Sequence, residues 1–167
     1  MGRLHDQLAS LDVSVTTPDE IATARLQGES SVTVSLVPGY FATSTSDRLA
    51  GKISALGALL WEARQYVVRR TLADVGLTYD ESPVLSSGDA EFHLARETVK
   101  CEGRSDDESV VVSTFGMTTW AAAVEASALS GAEEDFVRAA GEAMSAALAD
   151  RLPRLRELAA SARAGRL

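Results

Sequence analysis

Arg25-Leu26-Gln27-Gly28-Glu29-Ser30-Ser31-Val32-Thr33-Val34-Ser35 is answered further along by Lys100-Cys101-Glu102-Gly103-Arg104, an acidic Ser105-Asp106-Asp107, and Glu108-Ser109-Val110-Val111-Val112-Ser113. Both stretches read as strand, loop, strand, with apolar residues at alternate positions as in a half-buried sheet. The offset is 75 between Gly28 and Gly103 and 78 between Val32 and Val110, a step of three that Ser105-Asp106-Asp107 accounts for as an insert. Each copy then turns at a glycine, in Val37-Pro38-Gly39-Tyr40 and in Thr114-Phe115-Gly116-Met117. Glycine supplies the positive φ that a tight hairpin requires. A third strand is expected after each turn, short near Tyr40 to Ser44 and longer from Thr119 through Trp120 to about Ala126.

A helix closes each copy. Leu49, Ile53, Leu56, Leu60 and Val67 recur at three- and four-residue steps, one apolar stripe with Lys52, Glu62 and Arg69 off it. Val137, Ala140, Met144, Ala147 and Leu148 form the corresponding stripe of the second helix, which opens on Glu133, Glu134 and Asp135 and carries Arg151 near its end, the polarity that the helix dipole rewards. Aligning Gly57 with Gly141 places Ile53 on Val137 and Leu60 on Met144. Leu4, Leu8 and Leu11 share one side of an N-terminal helical turn or two, and the Gly, Pro, Ser and acid of Ala73 to Asp89 read as a linker. Pro153 lacks the donor that a helix interior needs and is expected to end or kink the second helix, leaving a short final helix with Leu155, Leu158 and Ala162. The resulting divisions are a first repeat over 1–75, a linker over 76–97, a second repeat over 98–152 and a basic helical tail over 153–167.

A length of 167 residues suits one ordinary domain or two very small ones. With 16 Lys plus Arg against 24 Asp plus Glu the net charge is −8, so an even cationic surface for duplex binding is missing. The charge is uneven: residues 151–167 hold Arg151, Arg154, Arg156, Arg163 and Arg166 against Glu157 alone. That basic tail reads either as a polyanion contact or as arginines gathered at a helix C-terminus. A hydrophobic content of 46% is enough to offset ordering entropy. One cysteine, Cys101, excludes an intrachain disulfide. The long uncharged stretch Ser109 to Val124 is interrupted by Ser, Thr and Gly, so neither a membrane span nor a signal peptide is expected, and a reducing cytoplasmic setting follows.

A glycine hairpin bearing Ser31-Val32-Thr33-Val34-Ser35, a following strand and a long Ala/Leu-rich helix resemble the YbaB-like family. The first copy, with its turn at Gly39 and its helix from Leu49 through Leu60-Trp61-Glu62-Ala63-Arg64-Gln65 to Tyr66, is similar to the type VII secretion-associated Esp proteins of actinobacteria. The second copy matches through Glu108 to Ser113, Phe115-Gly116 and Ala132 to Leu148. The resemblance implies an α+β fold of two tandem YbaB-like repeats, each a β-hairpin or three-strand sheet plus a helix. Family members dimerise through their sheets, so two copies in one chain imply an internal pseudo-dimer. It further implies a non-enzymatic protein-binding adaptor or chaperone-like protein in the cytoplasm, with a protein partner or self-association. Nucleoid-associated DNA binding is the alternative. The chain lacks the long N-terminal helix typical of the nucleoid-binding members, which weakens that alternative.

Residues with catalytic chemistry are sparse. His5, His93 and Cys101 lack a nucleophile turn or an orienting partner, His93 reads as a strand residue, and Cys101 alternates with Val99 as a small buried group. Neither the two histidines nor Asp106-Asp107-Glu108 has metal-ligand spacing, and the glycines form no phosphate loop, so no catalytic residue, metal or cofactor is expected. Trp61, Trp120 and Phe41 are the candidate partner contacts, because large aromatics concentrate in interface centres. Trp61 follows Leu60, about 100° round the helix from the stripe. It faces the other copy, a partner, or the edge of its own core. Arg64, Arg69, Arg70, Arg151, Arg154 and Arg156 are the candidate nucleic-acid contacts, with helix-end placement as the competing explanation.

Overall fold

The computed structural model describes residues 9–74 and 87–164 together with Asp6 and Gly76. Six strands form two antiparallel three-stranded sheets, each ordered as it runs in the chain: β1 (Asp12–Thr16), β2 (Ala22–Gln27) and β3 (Ser31–Leu36), then β4 (Lys100–Arg104), β5 (Val110–Phe115) and β6 (Thr119–Val124). Accompanying them are the helices α1 (Ser46–Asp74), α2 (Ser87–Thr98) and α3 (Glu133–Arg163). The class is α+β. In the first sheet Val13, Ala22, Ala24, Leu26 and Val32 turn inward, and in the second Cys101, Val110, Val112, Thr114 and Trp120 do so. One face of each sheet is thus buried while the alternate residues stay wet.

The hydrogen-bond plan of the first sheet recurs 88 residues on, from Thr17 to Ser105. Thr17 N donates to Ala22 O and Glu20 N to Thr17 O; Ser105 N donates to Val110 O and Glu108 N to Ser105 O. Thr17 Oγ1 and Ser105 Oγ each donate to a carboxylate two residues on, Asp19 and Asp107, at 2.7 Å in both. Glu20 and Glu108 both adopt a positive φ, 59° and 57°. Gly28 N bonds Leu11 O as Gly116 N bonds Val99 O. Gly28 and Gly116 close the corresponding turns with φ of 65° and 57°.

This recurrence corrects the expected alignment. Gly103 sits inside β4 and not in a turn, so it does not match Gly28. Ser105-Asp106-Asp107 is no insert, because Thr17-Pro18-Asp19 fills the same loop before β2. No third strand follows Gly39; Tyr40 N bonds Val37 O, and Phe41–Thr43 form a 3-10 turn that buries Phe41 against Phe136. The third strand of the first sheet is instead β1. The third strand of the second sheet is found at Thr119–Val124, close to expectation.

Two further boundaries shift. The linker read over 76–97 contains α2, so His93 lies on a helix and not on a strand; its side chain, like His5, Leu4 and Leu8, lies outside the described residues. Pro153 does not end α3, which runs unbroken to Arg163. Proline removes one backbone donor there, and the turns on either side carry the helix across.

The long helices each serve both sheets. α1 lies on β1 and β2 and also against β6, and α3 lies on β4 and β5 and also against β3. Gly57 and Gly141 make the crossings possible. A Cβ at Gly57 would enter the Trp120 ring, and one at Gly141 would stand 2.7 Å from Val32 O. The apolar stripe of α1 is buried as expected at Leu49, Ile53, Leu56 and Leu60. On α3, Phe136, Ala140, Met144, Ala147 and Leu148 are buried, whereas Val137 is only half-buried.

Candidate functional site

Backbone direction decides which strand edges are open. Leu11 O accepts from Gly28 and Thr17 N donates to Ala22, so the odd-numbered residues of β1 face β2. In an antiparallel ladder the amide and carbonyl of alternate residues then point away. For β1 those are Asp12, Ser14 and Thr16. By the same reasoning the outward amides are those of Lys100, Glu102 and Arg104 on β4, of Val32, Val34 and Leu36 on β3, and of Trp120, Ala122 and Val124 on β6, of which one on each strand is capped by a side chain. Val32 N donates to Ser145 Oγ at 2.9 Å, Ala122 N to Ser54 Oγ at 3.0 Å, and Glu102 N to Asp150 Oδ2 at 3.1 Å. Three of the four edges therefore receive a side chain from a long helix. Among the described residues nothing caps Ser14.

Beside this open edge lies a groove of about 560 Å³ between β1 and the second half of α1, walled by Val13, Val15, Leu59, Ala63, Tyr66 and Val67. Tyr66 is 65% exposed although it sits among apolar neighbours. Asp12 and Glu62 stand at the rim. The Asp12 carboxylate is held in a two-bond pair by Arg25 on β2, whose guanidinium keeps its pKa below the ordinary carboxylate value. Two other concavities are crossed by charged side chains. One, near Tyr40, is occupied by Lys52, which is paired with Asp19 and lies 5.8 Å from the Tyr40 ring centre. The other, between β3 and α3, is crossed by bonds from Arg138 and from Asp106 N to Glu142.

The three aromatic candidates are all interior. Trp61 is 7% exposed, with Arg64 of α1 and Arg151 of α3 over its ring at 5.0 and 4.9 Å. It therefore packs inside the chain, between an arginine from each long helix, as the readings that face it to the other copy or to its own core expect. Trp120 is buried beneath Gly57 and donates from Nε1 to Met117 O at 2.7 Å. Phe41 stacks on Phe136 at 5.4 Å. Sequence reasoning passed over Tyr66, which was visible only as the end of an α1 motif.

Arg64 and Arg151 stack on Trp61, and Arg154 reaches Asp150 at 3.3 Å and Glu157 at 3.6 Å. Arg69, Arg70 and Arg156 are exposed. Cys101 is fully buried, and burial pushes its thiol pKa up, away from a reactive thiolate. Among the described residues no His, Cys, Asp and Glu cluster has the makings of a metal site, and no helix is long and apolar enough to cross a membrane. Compared with known proteins, the chain matches no family model, and neither a curated protein nor a solved structure resembles it significantly.

Proposed function

We propose that the chain is a non-enzymatic, protein-binding adaptor or chaperone-like protein of the cytoplasm, built as an internal pseudo-dimer of two YbaB-like repeats. The 88-residue recurrence of loop and turn contacts supports the pseudo-dimer, as does the exchange by which each long helix caps one edge amide of the other sheet. A homodimer of single repeats would exchange its helices in this way. The observation that carries the binding role is the apolar groove beside the uncapped β1 edge, with Tyr66 65% exposed over it. An exposed aromatic in a concave apolar setting is the usual anchor of a protein contact. The alternative, nucleoid-associated DNA binding, draws little from arginines already committed to Trp61, Asp150 and Glu157.

Affinity capture from the native cell, with and without nuclease, tests this reading. Partner proteins retained after nuclease and lost on Tyr66→Ala support the adaptor. Capture that vanishes with nuclease and ignores Tyr66→Ala would replace it with the DNA alternative.

A further inference from the structure

Resting on the adaptor reading, we propose that the β1 edge takes up an extended partner segment, alternating apolar and basic residues, as a fourth strand of the first sheet. The two sheets act as controls for each other. At Gly103 of β4 a Cβ would overlap Ala143 O and Ala147 N of α3, so α3 lies directly on β4 and brings Asp150 to the Glu102 amide. The residue 88 places earlier is Val15, a half-buried side chain that lines the groove between β1 and α1. Between the helices the offset is 84, as Gly57 and Gly141 show, and the counterpart of Asp150 is Tyr66. The position capped by a carboxylate in the second sheet is therefore uncapped among the described residues of the first, beside an exposed phenol.

An unpaired row of amides and carbonyls is a template for strand addition. A strand placed there at the usual spacing of about 4.8 Å would send alternate side chains between Val13, Val15 and the α1 wall of Leu59, Ala63 and Tyr66. Those side chains must be apolar. Charge selects the others: Glu62 at the rim has no ion pair among the described residues, and residues 1–150 carry 11 basic against 23 acidic side chains. A basic segment is drawn to such a rim, an acidic one repelled.

The probe is a labelled, end-capped seven-residue peptide alternating valine and lysine, titrated into the full chain by fluorescence anisotropy. Saturable binding is expected, at least tenfold weaker for a block-ordered peptide of the same composition and for one with glutamate in place of lysine. Ser14→Pro removes only the outward amide of an edge strand, a position where proline is tolerated. It should leave the melting temperature unchanged and weaken binding at least tenfold. Glu62→Lys, on an exposed helix face, should do likewise without touching the backbone. No saturable binding to the wild type, or equal binding by either variant or by the block-ordered peptide, overturns strand addition. So does a wild-type dimer that Ser14→Pro converts to a monomer in light scattering, which would make a second copy the occupant. Cellular capture keeps the two readings apart. Partners held equally by wild type and Ser14→Pro leave the adaptor standing without strand addition, whereas peptide binding with no captured protein leaves the edge chemistry without the adaptor.

Discussion

Replacing Gly103 by alanine inserts one methyl group where the structure has no room for it. The new Cβ would overlap two backbone atoms of α3, Ala143 O and Ala147 N, and stand 2.9 Å from Ala146 C. None of these is the flexible end of a side chain, so α3 itself must retreat, by about 1 Å, a gap at which facing atoms lose roughly a quarter to a half of their dispersion well. The same retreat stretches the Glu102 to Asp150 bond from 3.1 Å and the Val32 to Ser145 bond from 2.9 Å. Overpacking of this kind costs about 1–3 kcal/mol and each weakened hydrogen bond about 1 kcal/mol, partly offset by roughly 0.5 kcal/mol from a stiffer unfolded chain. A net loss of about 3 kcal/mol is expected, which for a chain of this length lowers the melting temperature by roughly 6–12 °C. Urea and thermal unfolding read both quantities. Gly51→Ala, in α1 with nothing near its Cβ, is the matched control and should gain about 0.5–1 kcal/mol. Wild-type stability in Gly103→Ala would refute the close seating of α3 on β4, and with it the contrast drawn with the groove beside β1.

Trp61→Ala should cost about 3–5 kcal/mol, the loss typical of a large buried aromatic, because the ring lies between Arg64 and Arg151 where the helices meet; a stable variant in denaturant titration would return Trp61 to the surface. Asp19 is held down to about 2 by Lys52 and then Thr17, and Asp107 to about 2 by the Ser105 and Ser109 hydroxyls and the Ser109 amide. Their folded pKa values lie below the unfolded ones, so their contribution is present above about pH 4 and lost as pH falls toward 2. Melting temperature followed over that window should fall less steeply in the Asp19→Asn, Asp107→Asn double variant, and an unchanged slope would remove both loops from the acid response.

The helices were legible in the sequence because burial dominates them: Leu49, Ile53, Leu56 and Leu60 repeat at helical spacing and all face the core. The second sheet was legible for the same reason, since Val110 and Val112 alternate with solvated residues. The first sheet was read one strand out of phase. Asp12-Val13-Ser14-Val15-Thr16 alternates perfectly, yet Leu4, Leu8 and Leu11 drew the N-terminal region into a helical pattern, and the search for a third strand moved past Gly39. Once β1 is in place the match of Thr17-Pro18-Asp19-Glu20 with Ser105-Asp106-Asp107-Glu108 is plain. It rests on two identities and a hydroxyl, too short to stand out beside the Ser-Val-x-Val-Ser likeness. Aromatic content pointed to Trp61, Trp120 and Phe41, but size alone favours the interior, and only contacts distant in sequence could show that Tyr66 is left outside. The groove depends on Val15 against Gly103 and Tyr66 against Asp150, pairs that acquire meaning only with the 88- and 84-residue offsets.

Amide hydrogen exchange at four outward edge amides, Ser14 of β1 and the side-chain-capped one on each other edge, tests the central claim most directly, because it reports the capping of each amide in the intact chain. Val32, Glu102 and Ala122, bonded to Ser145, Asp150 and Ser54, should be protected well above the unstructured rate, while Ser14 exchanges at least tenfold faster than any of them. Addition of the alternating peptide should slow Ser14 and leave the other three unchanged. Equal protection of all four amides in the free protein would contradict an open β1 edge, and with it the groove as the place where this chain meets its partner.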